Sequence, residues 1–408
     1  MQYGLIGYPL EHSISPMIHS LLGEYPYMLR PLPEEEFDAF LREHDFTAVN
    51  VTIPYKQRVM PYCDLLTDRA RALGAVNVLY RMSDGGLLGD NTDYDGMMAM
   101  LLDSELEFEG AEVVILGSGG TSHTAAAVAK ELGAAETVVV SRHGPLNYEG
   151  FTKEYHDREF LLINTTPVGM YPHGEDCPID LYDFPGCLGV ADVIYNPLKT
   201  KLCDTADQLG LPWVGGLKML VVQAAIASER YFGATEKDED TLQELYEEVL
   251  CRQQNIILVG MPGCGKSTVG KMVAEATGRP FYSSDAIFTA ENGITPGECI
   301  RRFGEEGFRL KEHEILLSLA EKNGCVIATG GGSVLDVTNM DALRQNGVIF
   351  WLRRDTELLE TQDRPLSVNL PALYAEREPF YEMESDFSIE NNTTPEKAAA
   401  HLREVFLG

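Results

Sequence analysis

Residues 260–268, Gly260-Met-Pro-Gly263-Cys264-Gly265-Lys266-Ser267-Thr268, follow the apolar run Ile256–Val259 and precede Val269, Met272, Val273 and Ala276 at helical spacing. A strand, a glycine-rich loop and a helix in that order make a phosphate cradle, because the loop's N–H groups converge at the positive end of the helix. Lys266 is placed to reach the β- and γ-phosphates of ATP and Ser267 to hold Mg²⁺, while Gly263, Cys264, Gly265 and Thr268 complete the loop. An ordinary glycine turn would account for neither Lys266 nor Ser267.

A second glycine-rich turn stands far upstream. Gly117, Gly119, Gly120, Thr121 and Ser122 follow the apolar Val113–Leu116 and open a helical run, Thr124–Leu132. This is the setting of a dinucleotide site, with the pyrophosphate resting on the helix N-terminus. Ser122 stands where the general fingerprint has a third Gly or Ala. After the next strand-like run, Thr137–Val140, come Ser141 and Arg142. An acidic residue at that strand end takes the ribose 2′-hydroxyl of NAD, whereas an arginine suits the 2′-phosphate, so NADP(H) is the expected cofactor. The chain has 408 residues. That exceeds the roughly 250–300 at which single cores stop growing, so two or three domains are expected.

With 63 acidic against 32 basic residues and a net charge of -31, the chain is a poor match for nucleic acid or an anionic membrane. Anionic substrates would have to be held by local arginines. The 8 cysteines are irregularly spaced with no C-x-x-C, which reads as reduced thiols rather than a zinc site or a disulfide framework. No signal-peptide core and no apolar run long enough to span a bilayer is read, and the expectation is a soluble cytoplasmic protein.

Apolar runs at Tyr3–Ile6, Ala48–Ile53, Val113–Leu116, Thr137–Val140, Leu161–Ile163 and Val190–Ile194 alternate with helical segments, which predicts βα units and parallel sheets. Leu242, Leu245, Tyr246 and Val249 keep helical spacing through the acidic stretch Glu236–Glu248, predicting an amphipathic helix and a short joint around Cys251–Asn255. The alternation then resumes through Val326–Ala328 and Val348–Leu352.

Several blocks are more specific than these patterns: Gly7 to Pro16 with Ser13 and Ser15, Asn50 to Lys56, Gly74 to Asn77, Gly89 to Asp93, Asn164 to Met170, Asp192 to Tyr195 and Gly215 to Gln223. Together with Gly117–Ser122 they resemble shikimate dehydrogenases from residue 1 to about 250. The resemblance implies an α/β substrate-binding domain over 1–95, completed by helices of 217–250, around a Rossmann NADP domain over 96–216. It implies that Lys56 and Asp93 flank the reacting oxygen, with Lys56 in the proton-transfer role. It assigns Ser13 and Ser15 to the substrate carboxylate, Thr52, Asn77 and Gln223 to hydroxyls, and Tyr195 and Gly216 to the neighbourhood of substrate and nicotinamide. Ser15 also reads as a helix N-cap, since Pro16 suits the first helical position. Only about 20 residues separate Ser141-Arg142 from Ile163-Asn164, so a trimmed adenosine end is expected.

Downstream of the phosphate loop, Phe281 to Asp285, Phe303 to Glu312, Thr329 to Gly332, Arg364 to Leu366 and Arg377 to Tyr381 resemble shikimate kinases, with a P-loop kinase fold over 255–408. On that resemblance Asp285 holds the acceptor hydroxyl, Arg309 and Arg377 pair with the carboxylate, Gly331 lets backbone approach the ring, and Arg364 lies in a lid over ATP. Ser283 stands where the family has an acidic residue near Mg²⁺, and the adenine-stacking arginine is replaced around Glu360 or Thr361. The two resemblances imply consecutive reactions on small-molecule substrates, reduction of 3-dehydroshikimate to shikimate and phosphorylation to shikimate 3-phosphate. The alternatives are a kinase part that only binds nucleotide, or quinate as the polyol. Monomer and homodimer both remain open.

Overall fold

In the computed structural model of the protein the described residues are 1–10, 13–233, 237–359 and 370–408. Glu11, His12, Glu236, Glu360, Thr361, Arg364, Pro365 and Leu366 lie outside them. The chain divides into two compact units, the first made of Met1–Met170, Asp176–Tyr195 and Thr200–Val249 and the second of Tyr171–Glu175, Asn196–Lys199 and Leu250–Gly408.

The first unit opens with β1 (Tyr3–Gly7), α1 (Ser15–Leu22), β2 (Tyr27–Pro31), α2 (Glu34–Glu43), β3 (Ala48–Val51), β4 (Leu65–Leu66), α3 (Asp68–Leu73), β5 (Val78–Arg81), β6 (Leu87–Asp90) and α4 (Asp93–Leu102). The strands form one sheet in the order β2-β1-β3-β5-β6-β4. Against the expectation of parallel sheets, β5 runs antiparallel to both β3 and β6. The cause is local: only Met82–Gly86 joins β5 to β6, with Gly85 at φ 93°, and so short a link makes a hairpin, not a crossover.

The second sheet of this unit is wholly parallel, in the order β11-β10-β9-β7-β8. Its elements are β7 (Glu112–Leu116), α5 (Gly120–Glu131), β8 (Glu136–Val140), α6 (Tyr148–Tyr155), β9 (Phe160–Asn164), β10 (Cys187–Asp192), α7 (Lys201–Gln208), β11 (Trp213–Val214) and α8 (Leu217–Phe232). A full dinucleotide sheet runs 3-2-1-4-5-6. Here β7 and β8 stand as strands 1 and 2, and the strand outside β8 is missing because α6 leads straight back to β9. The shortening between Arg142 and Asn164 therefore removes one outer strand and its helix. Helix α9 (Glu239–Gln253) follows, amphipathic as the spacing predicts. The joint is tighter than the sequence implied, since α9 ends at Gln253 and the next strand starts at Asn255.

The second unit holds β12 (Asn255–Val259), α10 (Lys266–Thr277), β13 (Phe281–Ser283), α11 (Ser284–Asn292), α12 (Pro296–Phe303), α13 (Glu305–Ala320), β14 (Val326–Ala328), α14 (Val337–Arg344), β15 (Gly347–Arg353), α15 (Leu370–Glu384), β16 (Phe387–Glu390) and α16 (Pro395–Leu407). Its strands are all parallel, in the order β13-β14-β12-β15-β16. Central β12 is buried along its whole length, which is why Ile256–Val259 reads as an unbroken apolar run. The phosphate loop leaves its carboxyl end, where open parallel sheets bind ligands. No helix among the described residues is long and apolar enough to cross a membrane.

Candidate active sites

In the first unit, Lys56 lies in the turn after β3 and Asp93 is the first residue of α4. Lys56 Nζ donates to Asp93 Oδ2 at 2.7 Å, and the two side chains are only 17% and 9% exposed. Asn77 Nδ2 donates to Asp93 Oδ1 at 2.8 Å, to Thr92 Oγ1 at 3.0 Å and to Gln223 Oε1 at 3.4 Å. Five residues, from Lys56 to Gln223 in the sequence, thus share one hydrogen-bonded group. Its cation, Lys56, is held in position by the Asp93 carboxylate.

Ser13 Oγ donates to Ser15 Oγ at 3.1 Å, and Tyr195 is hydrogen-bonded to Ser13 while burial raises its phenol above the usual value. The N-cap reading of Ser15 is corrected: Ile14 is the cap residue, Ser15 is already helical, and no side chain caps α1. Pro16 then sits in the second helical position, where its missing N–H is still tolerated, and the Ser15 hydroxyl bonds Ser13 rather than the helix backbone. Thr52 follows β3, its N–H bonded to Ile6 O and its methyl placed where a Cβ on Gly7 would stand.

The glycine turn joins β7 to α5. Gly117 holds φ 106°, and a Cβ there would come within 2.8 Å of Thr165 Oγ1. Ser122 is buried and its hydroxyl donates to Gly119 O at 2.6 Å, so the residue that departs from the fingerprint ties the turn together. Gly119 and Thr121 flank Gly120, whose Cβ would meet Ala75 at 3.4 Å and Lys56 Cβ at 4.0 Å; the turn abuts the segment that carries the lysine. At the end of β8, Ser141 is buried and Arg142 exposed. Gly216 admits no side chain, since a Cβ would lie 2.1 Å from Val193 O.

Asp192, at the end of β10, is fully buried and accepts from Asn164 Nδ2 (3.1 Å), Ile194 N–H (3.0 Å) and Thr200 Oγ (2.9 Å). Burial outweighs these bonds and pushes its carboxyl from 3.8 up to about 6. Between those values the native state holds more protons than the unfolded one, so this group's contribution to stability falls as pH rises from about 4 to 6 and is level above. Asp192→Asn carries no such titration. Urea unfolding at pH 4.5, 5.5 and 7 should show the variant gaining on the parent from the first pH to the last by on the order of 2 kcal/mol.

In the second unit, Lys266 is buried at the start of α10 with its Nζ donating to Gly260 O at 2.7 Å and Met261 O at 3.1 Å. Gly260, Gly263 and Gly265 all take positive φ (141°, 83° and 102°), which lets the loop turn its amides inward. Cys264 is buried beneath the loop, and Ser267 and Thr268 are exposed in the first turn of α10. Asp285 is exposed in the first turn of α11, and Ser283 caps that helix by accepting from Ala286 N–H.

The triple glycine brings both predicted carboxylate-binding arginines together. Arg377 Nη1 and the Tyr381 hydroxyl donate to Gly331 O, and a Cβ on Gly332 would lie 2.1 Å from Arg309 Nη2. Gly331 itself packs against Pro262 of the phosphate loop. Arg309 is held by Glu305 at 2.7 Å and Glu312 at 2.5 Å, and Arg377 is buried with its Nε unpartnered. Glu312 escaped the sequence reading. It is buried, its acidity lowered by that burial against the opposing effects of Arg309 and Ser333, and it locks Arg309 to the glycine loop through Ser333 at 2.8 Å. Its spacing of three from Arg309 on one helix was the available signal. Arg364 lies outside the described residues.

Two family models match the chain, the shikimate dehydrogenase substrate binding domain over residues 5–79 and shikimate kinase over 262–406. A shikimate dehydrogenase (NADP(+)) from Clostridium perfringens is 35% identical over 270 residues, spanning 61% of this chain and 98% of its own length. Among solved structures, shikimate dehydrogenase 1 of Peptoclostridium difficile is 31% identical with TM-score 0.56, over 61% of this chain and 98% of that one. A chorismate mutase/shikimate 5-dehydrogenase fusion protein from Clostridium acetobutylicum is 34% identical with TM-score 0.55, over 60% and 96%. The Thermus thermophilus shikimate 5-dehydrogenase in complex with NADP(H) and shikimate is 28% identical with TM-score 0.52, over 61% and 99%. The chain therefore belongs to the shikimate dehydrogenase family in its amino-terminal part and carries a shikimate kinase domain in its carboxyl-terminal part.

Proposed function

We infer that this chain is a bifunctional enzyme that reduces 3-dehydroshikimate to shikimate with NADPH and phosphorylates shikimate to shikimate 3-phosphate with ATP, in the cytoplasm. The observation that carries it is the pairing, in one chain, of a buried Lys56–Asp93 couple beside a dinucleotide turn with a phosphate loop packed on a glycine loop that gathers two arginines. The relatives named above support the first half and the kinase family model the second.

NADPH, when bound along the Gly117–Ser122 turn with Arg142 at its 2′-phosphate, supplies the hydride. The carbonyl oxygen then needs a proton, which the Lys56 ammonium gives; Asp93 keeps that ammonium oriented and accepts from the neighbouring hydroxyl. Asn77, Gln223 and Thr52 hold further hydroxyls, the Ser13–Ser15–Tyr195 group holds the carboxylate, and Gly216 leaves room for the ring. We assign these roles over a substrate domain of 1–95 with 217–250 and a cofactor domain of 96–216.

In the 255–408 domain Asp285 accepts the proton of the attacking hydroxyl, Arg309 and Arg377 hold the carboxylate, Gly331 borders the ring, and Lys266 faces the phosphates. Arg364 completes this set as a lid cation. Among the described residues no group of three His, Cys, Asp or Glu gathers to bind a metal. Mg²⁺ keeps most of its waters and takes few protein ligands beside substrate phosphates, and the exposed Ser267 hydroxyl is the one assigned to it.

The purified chain, given 3-dehydroshikimate, NADPH and Mg-ATP, is expected to oxidise one NADPH and release one ADP per shikimate 3-phosphate formed. NADPH oxidation without ADP release, and no ADP release on adding shikimate itself, would reduce the second half to a nucleotide-binding module.

A further inference from the structure

Strand β15 ends at Arg353, and the chain beyond it passes along the phosphate loop: β15 pairs with β12 as far as Val259↔Trp351, and a Cβ on Gly260 would lie 2.6 Å from Leu352 O. Two arginines stand at this point in a chain that carries 63 acidic residues. Extended backbone sends successive side chains to opposite sides. Arg353 turns its guanidinium over the Trp351 ring at 4.7 Å. Arg354 goes to the phosphate loop instead, with Nη1 only 3.9 Å from where a Gly265 Cβ would stand.

Asn391, just past β16, shares that flank. Its Nδ2 donates to Cys264 O at 2.8 Å and would lie 2.6 Å from the same Gly265 Cβ. Both residues are left incomplete among the described residues: Arg354 Nε is a buried donor and Asn391 Oδ1 a buried acceptor, each without a partner there. Buried polar groups are nearly always paired, and an orphaned donor on a cation beside a phosphate cradle is the arrangement expected of a site awaiting an anion. Arg309 is by contrast already paired with Glu305 and Glu312, whereas Arg377, whose Nε is likewise unpartnered, donates to the glycine loop at Gly331 O.

We propose that Arg354 is a nucleotide-binding residue of the kinase domain, its guanidinium contacting the phosphate chain of the bound nucleotide at the Gly265 flank of the loop. Lys266 approaches the phosphates from within the loop as a point charge; Arg354 adds a planar fork from its rim. This rests on the kinase reading for its substrate, ATP, yet its test does not depend on turnover.

ADP binding by calorimetry and steady-state kinase kinetics on Arg354→Ala and Arg354→Lys in the full chain decide it. The alanine variant is expected to weaken ADP and raise KM for ATP by about tenfold or more, the loss of a charge-assisted hydrogen bond. KM for shikimate, NADP-dependent oxidation of shikimate and the ligand-free melting temperature should be unchanged. The lysine variant, keeping the charge, should recover most of the ADP affinity. Unchanged ADP affinity in the alanine variant overturns the proposal. So does an equal loss in both variants that extends to adenosine, which would place the contact on the base, or a lowered ligand-free melting temperature that accounts for the weaker binding. If the parent binds ADP through Arg354 but turns over no shikimate, the proposal stands and the kinase reading fails.

Discussion

Lys266→Ala is expected to lower shikimate-dependent ADP release by about 10²–10³-fold, the loss typical of removing one preorganised charge stabiliser. Oxidation of shikimate by NADP⁺ should stay unchanged in the same preparation. The expectation follows from where Lys266 sits: it is buried, at the head of α10, with its ammonium already drawn inward by Gly260 O and Met261 O. Those carbonyls fix the amine under the loop before any nucleotide arrives, so little rearrangement remains at the moment of transfer. Alanine also strips two carbonyls of their donor and leaves a void, which mixes structural damage into the readout. Lys266→Met fills the volume without the charge. Both variants should lose turnover alike if the ammonium acts on phosphate, whereas substantial activity in the methionine variant would show that only packing was lost.

The second large effect concerns Lys56. Lys56→Ala should depress kcat for 3-dehydroshikimate reduction by about 10²–10⁴-fold, the usual worth of a positioned proton donor, with a smaller change in KM. It should leave kinase turnover untouched. Asp93 then loses its 2.7 Å partner and keeps Asn77 Nδ2, so the variant retains one hydrogen bond to a mostly buried carboxylate. If the pair acts as a unit, Asp93→Asn will cost heavily alone, and the double variant will be scarcely worse than Lys56→Ala. Additive losses would mean that the two side chains act on different steps. A pH-rate profile of Asp93→Asn separates orientation from proton supply, because loss of the carboxylate changes the field that Lys56 feels.

Much of this was legible in the chain itself. The phosphate loop, the glycine turn, and the strands β7, β14 and β15 lie where apolar runs and glycines put them, since these are buried central strands and loops with little freedom. The missing outer strand was legible as a count, the few residues between Arg142 and Asn164. What escaped depends on long-range pairing. The antiparallel β5 has no signature in its own four residues; its direction comes from a short link and from β3 beside it. Ser15 looked like a cap because Pro16 follows it, but the helix begins one residue earlier. Asn391 and Arg354 are ordinary polar letters until folding sets them against the phosphate loop. No periodicity marks a side chain whose importance lies in what it touches across 50 or more residues.

The missing outer strand has another effect. With no strand beyond β8 among the described residues, five residues rich in valine form the sheet's margin, which on that side carries a single bridge, from Val140 to Leu146. Such a margin is the natural template for strand addition by another chain. β8 carries two of the usual defences, brevity and a charged Glu136 at its entrance, and Val138 and Val139 are half-covered. In place of an outer strand the sheet thus carries an open margin, and the charge at position 136 is what guards it against such pairing.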